Sequence, residues 1–243
     1  MVIKLLTAHT SVRKYKDVPL SKEQVHELIH AGQHAASSHF VQAYSVIHVT
    51  DTSKRERLAE LSKNPRQFLS AGAILIFCTD YCRLEKAAHL IGRDIDFTHA
   101  ENLLVGAIDV SLFAQNVAIA AESKGYGICY IGGVRNAPQE VSNLLGLPKG
   151  VAPMFAMSIG IPDEANEVKP RLPIEAIIHE NSYDPDKYDE LIPAYNQTMN
   201  DYYVSRGANQ KNTNWSEDMA SFLGAPKRQH MKEFLKEQGF EFN

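Results

Sequence analysis

The chain has 243 residues, 44% of them hydrophobic and 22% charged, with a formal net charge of −4. That length supports one large core, or one core plus an extension. The composition excludes a disordered chain, and the scattered Lys and Arg leave no footprint for nucleic acid. The three cysteines, Cys78, Cys82 and Cys129, form no CxxC pair and point to neither a disulfide framework nor a dithiol centre.

The first residues, MVIKLLTAHTSVRKYK, lack the apolar run and cleavage site of a signal peptide, so a cytoplasmic protein is expected. Within them His9-Thr10-Ser11-Val12-Arg13 gathers an imidazole, hydroxyls and a guanidinium. His9 and Arg13 are neighbours on a helix, whereas His9, Ser11 and Arg13 are neighbours on a strand; in either case the three converge. Ser21 and Gln24 have capping-box spacing and open an amphipathic helix, with Val25, Leu28, Ile29 and Gly32 on one face.

That helix carries His26-Glu27-Leu28-Ile29-His30, a literal HExxH, in which two His bind zinc and the Glu activates water. Its context argues against a metal hydrolase. The apolar face turns His26, Glu27 and His30 outward, Gln33 stands where the extended motif needs Gly, and Ala36 stands where it needs the third His. His34 does continue the series at i+4, which leaves incidental metal binding open.

Apolar runs predict strands at 44–50, 73–79, 126–131 and 154–159, separated by helical stretches, as in a layered α/β or α+β domain. The stretch from His99 to Lys124 reads as one long helix of about 30–40 Å. Between Leu103 and Ala121 only Asp109, Ser111, Gln115 and Asn116 are polar, so little of it is expected to face water. Asp109, the Gln115–Asn116 pair and the many small residues argue against a membrane span and for a buried central helix, with a place at a subunit interface open.

Tyr130-Ile131-Gly132-Gly133 ends the third strand, and its paired glycines would let backbone N–H groups approach a flat ligand. There is no GxGxxG after a strand, no GxxxxGK[ST], and no Ser–His–Asp set in a nucleophile elbow. Beyond Gly160 the chain is polar and Tyr-rich, broken by Pro162, Pro170, Pro173, Pro185 and Pro193. It is expected to build no core of its own and to wrap the main body or a partner. In Lys169-Pro170-Arg171 the prolines favour extended backbone, placing both cations on one side. Such cations hold phosphate through charge-assisted hydrogen bonds of about 1.5–3 kcal/mol each.

HTSVR, the SSHFVQ segment from Ser37 to Gln42, AAESKGYGICYIGGVRN, KPRLP, YYVSRGAN and NWSE follow one another in this order. The succession resembles the nitroreductase superfamily, in the group of the oxygen-insensitive NADPH nitroreductases and the NADPH–FMN oxidoreductases of luminous bacteria. The resemblance implies an α+β, nitroreductase-like fold: a mostly antiparallel sheet flanked by helices, a long buried central helix, and a C-terminal segment wrapping the dimer partner. It divides the chain into an FMN-binding core, 1–162, and an extension, 163–243, that is no independent domain.

By the same resemblance, His9, Thr10, Ser11 and Arg13, with Lys169 and Arg171, hold the FMN phosphate and ribityl oxygens. Thr10 stands where relatives often have Arg. Ser37, Ser38 and Gln42 reach the flavin from the other subunit of a homodimer. Tyr130, Ile131, Gly132 and Gly133 lie against the isoalloxazine, and Arg206 matches a residue used on the NADPH 2′-phosphate.

Two departures stand out. Pro65 occupies the place of a flavin-contacting Gln, the nearest Gln being Gln67, and Gln210, Lys211 and Asn212 replace an Arg-rich stretch, which leaves NADH open as donor. The implied activity is ping-pong reduction of nitroaromatics, quinones or free flavins, with no nucleic acid, membrane or resident metal. A flavin-binding protein without turnover and an HExxH metal hydrolase are the alternatives.

Overall fold

Ser21 caps a helix as its spacing predicts. Its Oγ accepts the Gln24 N–H at 3.3 Å, and Gln24 Oε1 accepts the Ser21 N–H at 2.7 Å. The computed structural model describes residues 2–207 and 210–241. In chain order it contains α1 (Val2–Thr7), α2 (Lys22–Gln33), β1 (Tyr44–His48), α3 (Thr52–Ser62), α4 (Pro65–Ser70), β2 (Ala73–Asp80), α5 (Cys82–His89), α6 (Ala100–Ser123), β3 (Gly127–Ile131), α7 (Pro138–Leu145) and β4 (Val151–Gly160). After these come α8 (Tyr188–Ser205), α9 (Trp215–Leu223) and α10 (Met231–Glu237).

The four strands form one antiparallel sheet in the order β1-β2-β4-β3. All eight residues of β2 are buried, which is why AILIFCTD reads as a nearly unbroken apolar run rather than an alternating one. Ile74, Ile76 and Cys78 pack on one face with Leu58, Phe68 and Val141 from α3, α4 and α7. Leu75 and Phe77 pack on the other with Val110, Phe113 and Val117 of α6 and Val25 and Leu28 of α2. Each such side chain taken fully from water contributes about 1.5–3 kcal/mol, so the helix–sheet–helix layering is the main source of stability. Pro153 sits in the interior strand β4 because the β2–β4 register shifts between Phe77 and Cys78, where a bulge leaves Met154 outside the pairing.

The segment from His9 to Arg13 is extended, not helical. Ser11 forms a parallel bridge to Ile128, and the Val12 N–H donates to the Ile128 carbonyl at 2.9 Å. Gly127 permits this approach, since a Cβ there would lie 2.6 Å from Val12 Cγ2. The buried Tyr15 hydroxyl, 2.5 Å from the Val12 carbonyl and 2.8 Å from Ser158 Oγ, pins the other end of the segment.

The central helix differs from its expectation. One face is in the core, but Leu104, Ile108 and Leu112 form an exposed apolar row at i, i+4 and i+8. By length and composition alone α6 could cross a membrane; its buried face, carrying Asp109, packs on the sheet.

The chain divides into two compact units. The first holds the sheet, continues to Asn166 and resumes at Arg228, where Phe234 and Phe240 join Ala43, Tyr81 and Ala152 in a third apolar cluster. The second, Glu167–Lys227, has a small core of Tyr195, Met199 and Tyr203, flanked by Leu172, Tyr202 and Trp215. The expectation that this polar stretch builds no core of its own is thus corrected. Aromatic residues at helical spacing on α8 supply the apolar area that aliphatic side chains would otherwise provide.

Candidate functional site

In the first unit, the extended segment beside β3 carries His9, Ser11 and Arg13. His9 Nδ1 meets Glu122 Oε1 at 2.5 Å, which fixes the ring and leaves Nε2 for a ligand. Arg13 is exposed, and among the described residues its guanidinium reaches the carbonyl of Ser11, on its own segment, at 3.4 Å. Among the described residues no carboxylate pairs with it.

A second acid at this segment, Glu164, binds its backbone. Glu164 Oε1 accepts the N–H groups of Arg13 (2.5 Å) and Lys14 (3.2 Å) and the Asn166 amide (3.2 Å), while Oε2 meets Arg66 at 3.1 Å. Desolvation alone would raise the Glu164 carboxyl, but the Arg13 N–H, the Asn166 amide and Arg66 outweigh it, and the group lies below its usual range. Glu164 therefore shapes the segment while leaving the Arg13 charge unopposed.

The turn after β3 is a short 3-10 helix, Gly132–Asn136. The Ile131 side chain is in the core, so only its backbone faces outward. Gly133 is required by the protein itself: a Cβ there would lie 2.3 Å from the Ser62 carbonyl and 2.4 Å from Asn64 Nδ2. At Gly132 the nearest atoms to a Cβ would belong to the Arg135 side chain, at 3.1 Å, which is bonded to the Met154 carbonyl, so the fit there is less restrictive than at Gly133 but still close. Tyr130 lies edge-on to Phe155 at 5.3 Å and donates to Gln115 Oε1 at 3.3 Å. The Asn64–Gln67 segment lies beside this turn through Ser62, whose carbonyl accepts from Asn64 (2.6 Å) and Asn136 (3.1 Å). Pro65 opens α4, and Gln67 is half-buried with its amide on Asn64.

The Ser37–Gln42 loop is held by Asp109, a residue outside every motif of the sequence. Asp109, fully buried on α6, accepts from Ser37 Oγ (2.7 Å), the Ser38 N–H (3.2 Å) and the Ala43 N–H (3.1 Å). Ser37 Oγ in turn accepts the Gln42 N–H at 2.8 Å, and Arg83 donates to the carbonyls of Gln42 and Tyr44. Between these anchors His39, Phe40 and Gln42 all take positive φ, at 45°, 59° and 52°. Non-glycine residues pay on the order of 1–3 kcal/mol for such conformations and hold them only where surroundings over-determine them; such strain gathers at ligand sites. Phe40 is 80% exposed at the tip.

In the second unit, Lys169 and Arg171 both lie near Tyr195. Burial pushes the Tyr195 phenol up, and the two cations partly counter it. The Tyr195 hydroxyl donates to the Pro170 carbonyl at 2.9 Å, Lys169 Nζ stands 5.2 Å above the Tyr203 ring, and Arg171 donates to the Lys169 carbonyl at 3.1 Å. Among the described residues neither cation has a carboxylate partner. Arg206 caps α8 with its guanidinium 5.6 Å from the Tyr202 ring; Ala208 and Asn209 of the same RGAN stretch lie outside the described residues.

These donors suit a phosphate-bearing group. In the first unit these are the Arg13 guanidinium, the Ser11 hydroxyl and the free His9 ring nitrogen; in the second, taken by itself, they are Lys169 and Arg171.

The nitroreductase family profile matches residues 6–161, and the profile for the nitroreductase family C-terminal domain matches residues 169–243. The chain belongs to the nitroreductase family and is an oxidoreductase. It is 56% identical over 242 residues, covering all of both chains, to a protein of Pseudomonas sp. strain G-1 named Cr(VI) reductase. To the NADPH-flavin oxidoreductase of Vibrio harveyi it is 42% identical over 237 residues, covering 98% and 97% of the two chains. Among solved structures, B. megaterium NfrA1 superposes with a TM-score of 0.95 at 40% identity, covering 98% of each chain. The Vibrio harveyi NADPH:FMN oxidoreductase complexed with NAD+ superposes at 0.88, also with 40% identity and 98% of each chain.

Two predictions follow from the anchoring carboxylates. Asp109→Asn turns an NH₂ toward donors that need an acceptor and should lower unfolding stability by about 1–3 kcal/mol, read from the denaturant midpoint; a loss within error would mean the loop holds itself. The Glu164 carboxyl is depressed in the folded state, so its contribution is complete above its unfolded pKa and is lost as pH falls through the folded one. Glu164→Gln should therefore destabilise at neutral pH, with the gap from wild type closing below the carboxylate range; a gap constant with pH would contradict this.

Proposed function

We propose that this chain binds FMN and uses NADPH or NADH to reduce small electron-poor acceptors, namely nitroaromatics, quinones and free flavins, by two-electron ping-pong turnover. The observation that carries this reading is the segment locked beside β3, which presents His9, Ser11 and an unopposed Arg13. Full-length similarity to proteins named NADPH-flavin oxidoreductase and FMN reductase supports it. The Pseudomonas relative's name adds metal oxyanions such as chromate to the acceptors worth testing.

FMN, when bound, supplies hydride acceptance at N5 and onward electron transfer, so the protein's part is binding, orientation and electrostatics. Arg13 would offer a bidentate fork to a phosphate, with His9 Nε2 and the Ser11 and Thr10 hydroxyls as further polar contacts; Lys169 and Arg171 are cations of the kind that hold phosphate. Backbone N–H groups at Ile131, Gly132 and Gly133, with Tyr130 beside them, would serve the flat ring system of the flavin. Ser37, Ser38 and Gln42 line the flavin of a second subunit in a homodimer. The exposed Leu104–Ile108–Leu112 row on α6 is the face we assign to that association. Arg206 reads the NADPH 2′-phosphate. We place the protein in the cytoplasm.

The HExxH hydrolase reading gains nothing from the structure, since Glu27, the residue that would activate water, is bound to Lys124 Nζ at 2.7 Å.

The visible spectrum of the purified protein, taken before and after anaerobic NADPH and then NADH, tests the proposal. Flavin bands that bleach with a donor support it. Bands that persist with both donors would leave a flavin-binding protein without turnover, and a colourless protein that takes up no added FMN would overturn the reading entirely. Arg13→Ala and Arg171→Ala should each weaken FMN binding by about tenfold or more while leaving the fold intact, as expected for loss of a charge-assisted contact; wild-type affinity by flavin fluorescence titration would remove those residues from the site. Arg206→Ala should raise the KM for NADPH far more than that for NADH, and equal changes would mean that Arg206 does not read the 2′-phosphate.

A further inference from the structure

We infer that His30 and His34 form a surface chelate for a divalent d-block cation such as Ni²⁺, Cu²⁺ or Zn²⁺, at the C-terminal end of α2. Both side chains are exposed; His30 is in the last turn and His34 is the C-cap. Residues four apart on a helix stand one above the other, and here the two rings lie with centroids 5.1 Å apart and planes inclined at 39°.

That separation is close to what coordination needs. With metal–nitrogen bonds of about 2.0–2.1 Å each ring centroid stands about 3.2 Å from the metal, which puts the centroids about 5.2 Å apart at a tetrahedral angle, as on Zn²⁺, and about 4.5 Å apart at a right angle, as on tetragonal Cu²⁺ or Ni²⁺, a difference that exposed side chains can take up by rotation. Among the described residues neither ring forms a hydrogen bond or ion pair with the protein, so the lone pairs are not engaged. His9, His89 and His99, by contrast, each have a ring nitrogen on a carboxylate.

The pair is not the one the HExxH text names. His26 faces His48 on β1, whose pKa it helps to lower after burial and Arg55, and the ring contact on α2 joins His30 to His34 instead. Glu27 is held by Lys124. No group of three or more His, Cys, Asp or Glu able to hold a metal occurs among the described residues. Water completes the coordination, which makes this an exchangeable site of micromolar affinity and not a closed structural one. Imidazole nitrogen favours these metals, with Cu²⁺ strongest of the three.

Titration of the full-length protein with NiCl₂ in a non-chelating buffer at neutral pH, followed by calorimetry, tests the inference. One Ni²⁺ per chain is expected. His30→Ala and His34→Ala should each weaken it by about tenfold or more, because a single imidazole loses the advantage of an intramolecular second ligand. His26→Ala and Glu27→Ala should bind as wild type. Thermal melts without metal check that all four variants fold, and added Ni²⁺ should raise the melting temperature of wild type but not of the His30 and His34 variants. Absence of micromolar binding, retention of wild-type affinity by His30→Ala or His34→Ala, or an equal loss in His26→Ala would each overturn the assignment.

Discussion

A carboxylate inside an apolar helix must find donors, and the donors available to Asp109 belong to a loop. Three hydrogen bonds, from Ser37, Ser38 and Ala43, meet that need. In meeting it they fix the path of the chain between α2 and β1. Because α6 is itself clamped between α2 and the sheet, the loop inherits the rigidity of the core without being part of it. The left-handed backbone at His39, Phe40 and Gln42 then becomes tolerable, since both ends are held from below by Asp109 and Arg83. A surface segment built this way keeps one conformation while presenting an exposed aromatic ring, as a site must.

The same economy governs charge around the extended N-terminal segment. Glu164 meets Arg13 at its backbone N–H and not at its guanidinium, and its oxygens are taken by backbone N–H groups, Asn166 and Arg66. Glu122 serves His9 in a similar way, taking one ring nitrogen and leaving the other. Lys14 and Arg66 are paired with Asp163 and Glu164, whereas Arg13 has no carboxylate partner among the described residues.

How much of this was legible in the sequence depends on how local the cause is. The Ser21–Gln24 capping box, the apolar run of β2 and the long helix from Ala100 to Ser123 are written in residues a few places apart, and the structure has them close to where periodicity puts them. The positive φ values at His39, Phe40 and Gln42 are invisible, because these residues carry no glycine-like signal and only distant partners impose the conformation. Glu164 reaches back some 150 positions to Arg13, beyond any local pattern. Asp109 was readable in part: a lone acid among apolar residues announces a buried partner but does not name it. The packing reason for Gly133 is equally hidden, since Ser62 and Asn64, some seventy positions away, fill the place where a Cβ would stand. The row of Leu104, Ile108 and Leu112 is uniformly apolar in sequence, and only the fold shows which side of α6 the sheet leaves uncovered.

The chain leaves the first unit after Asn166 and rejoins it at Arg228. Phe234 and Phe240 complete a cluster with Tyr81 and Ala152, while the Glu241 N–H reaches the Thr98 carbonyl and the Gly150 N–H reaches that of Gln238. In topological terms the smaller unit is an insertion, and the larger one is discontinuous in sequence. During synthesis the larger unit therefore emerges from the ribosome lacking one corner of its interior, and waits through about sixty further residues for it. At a synthesis rate of about 5–20 residues per second, that interval lasts several seconds, during which Tyr81 and its neighbours stay open to water and to chaperones.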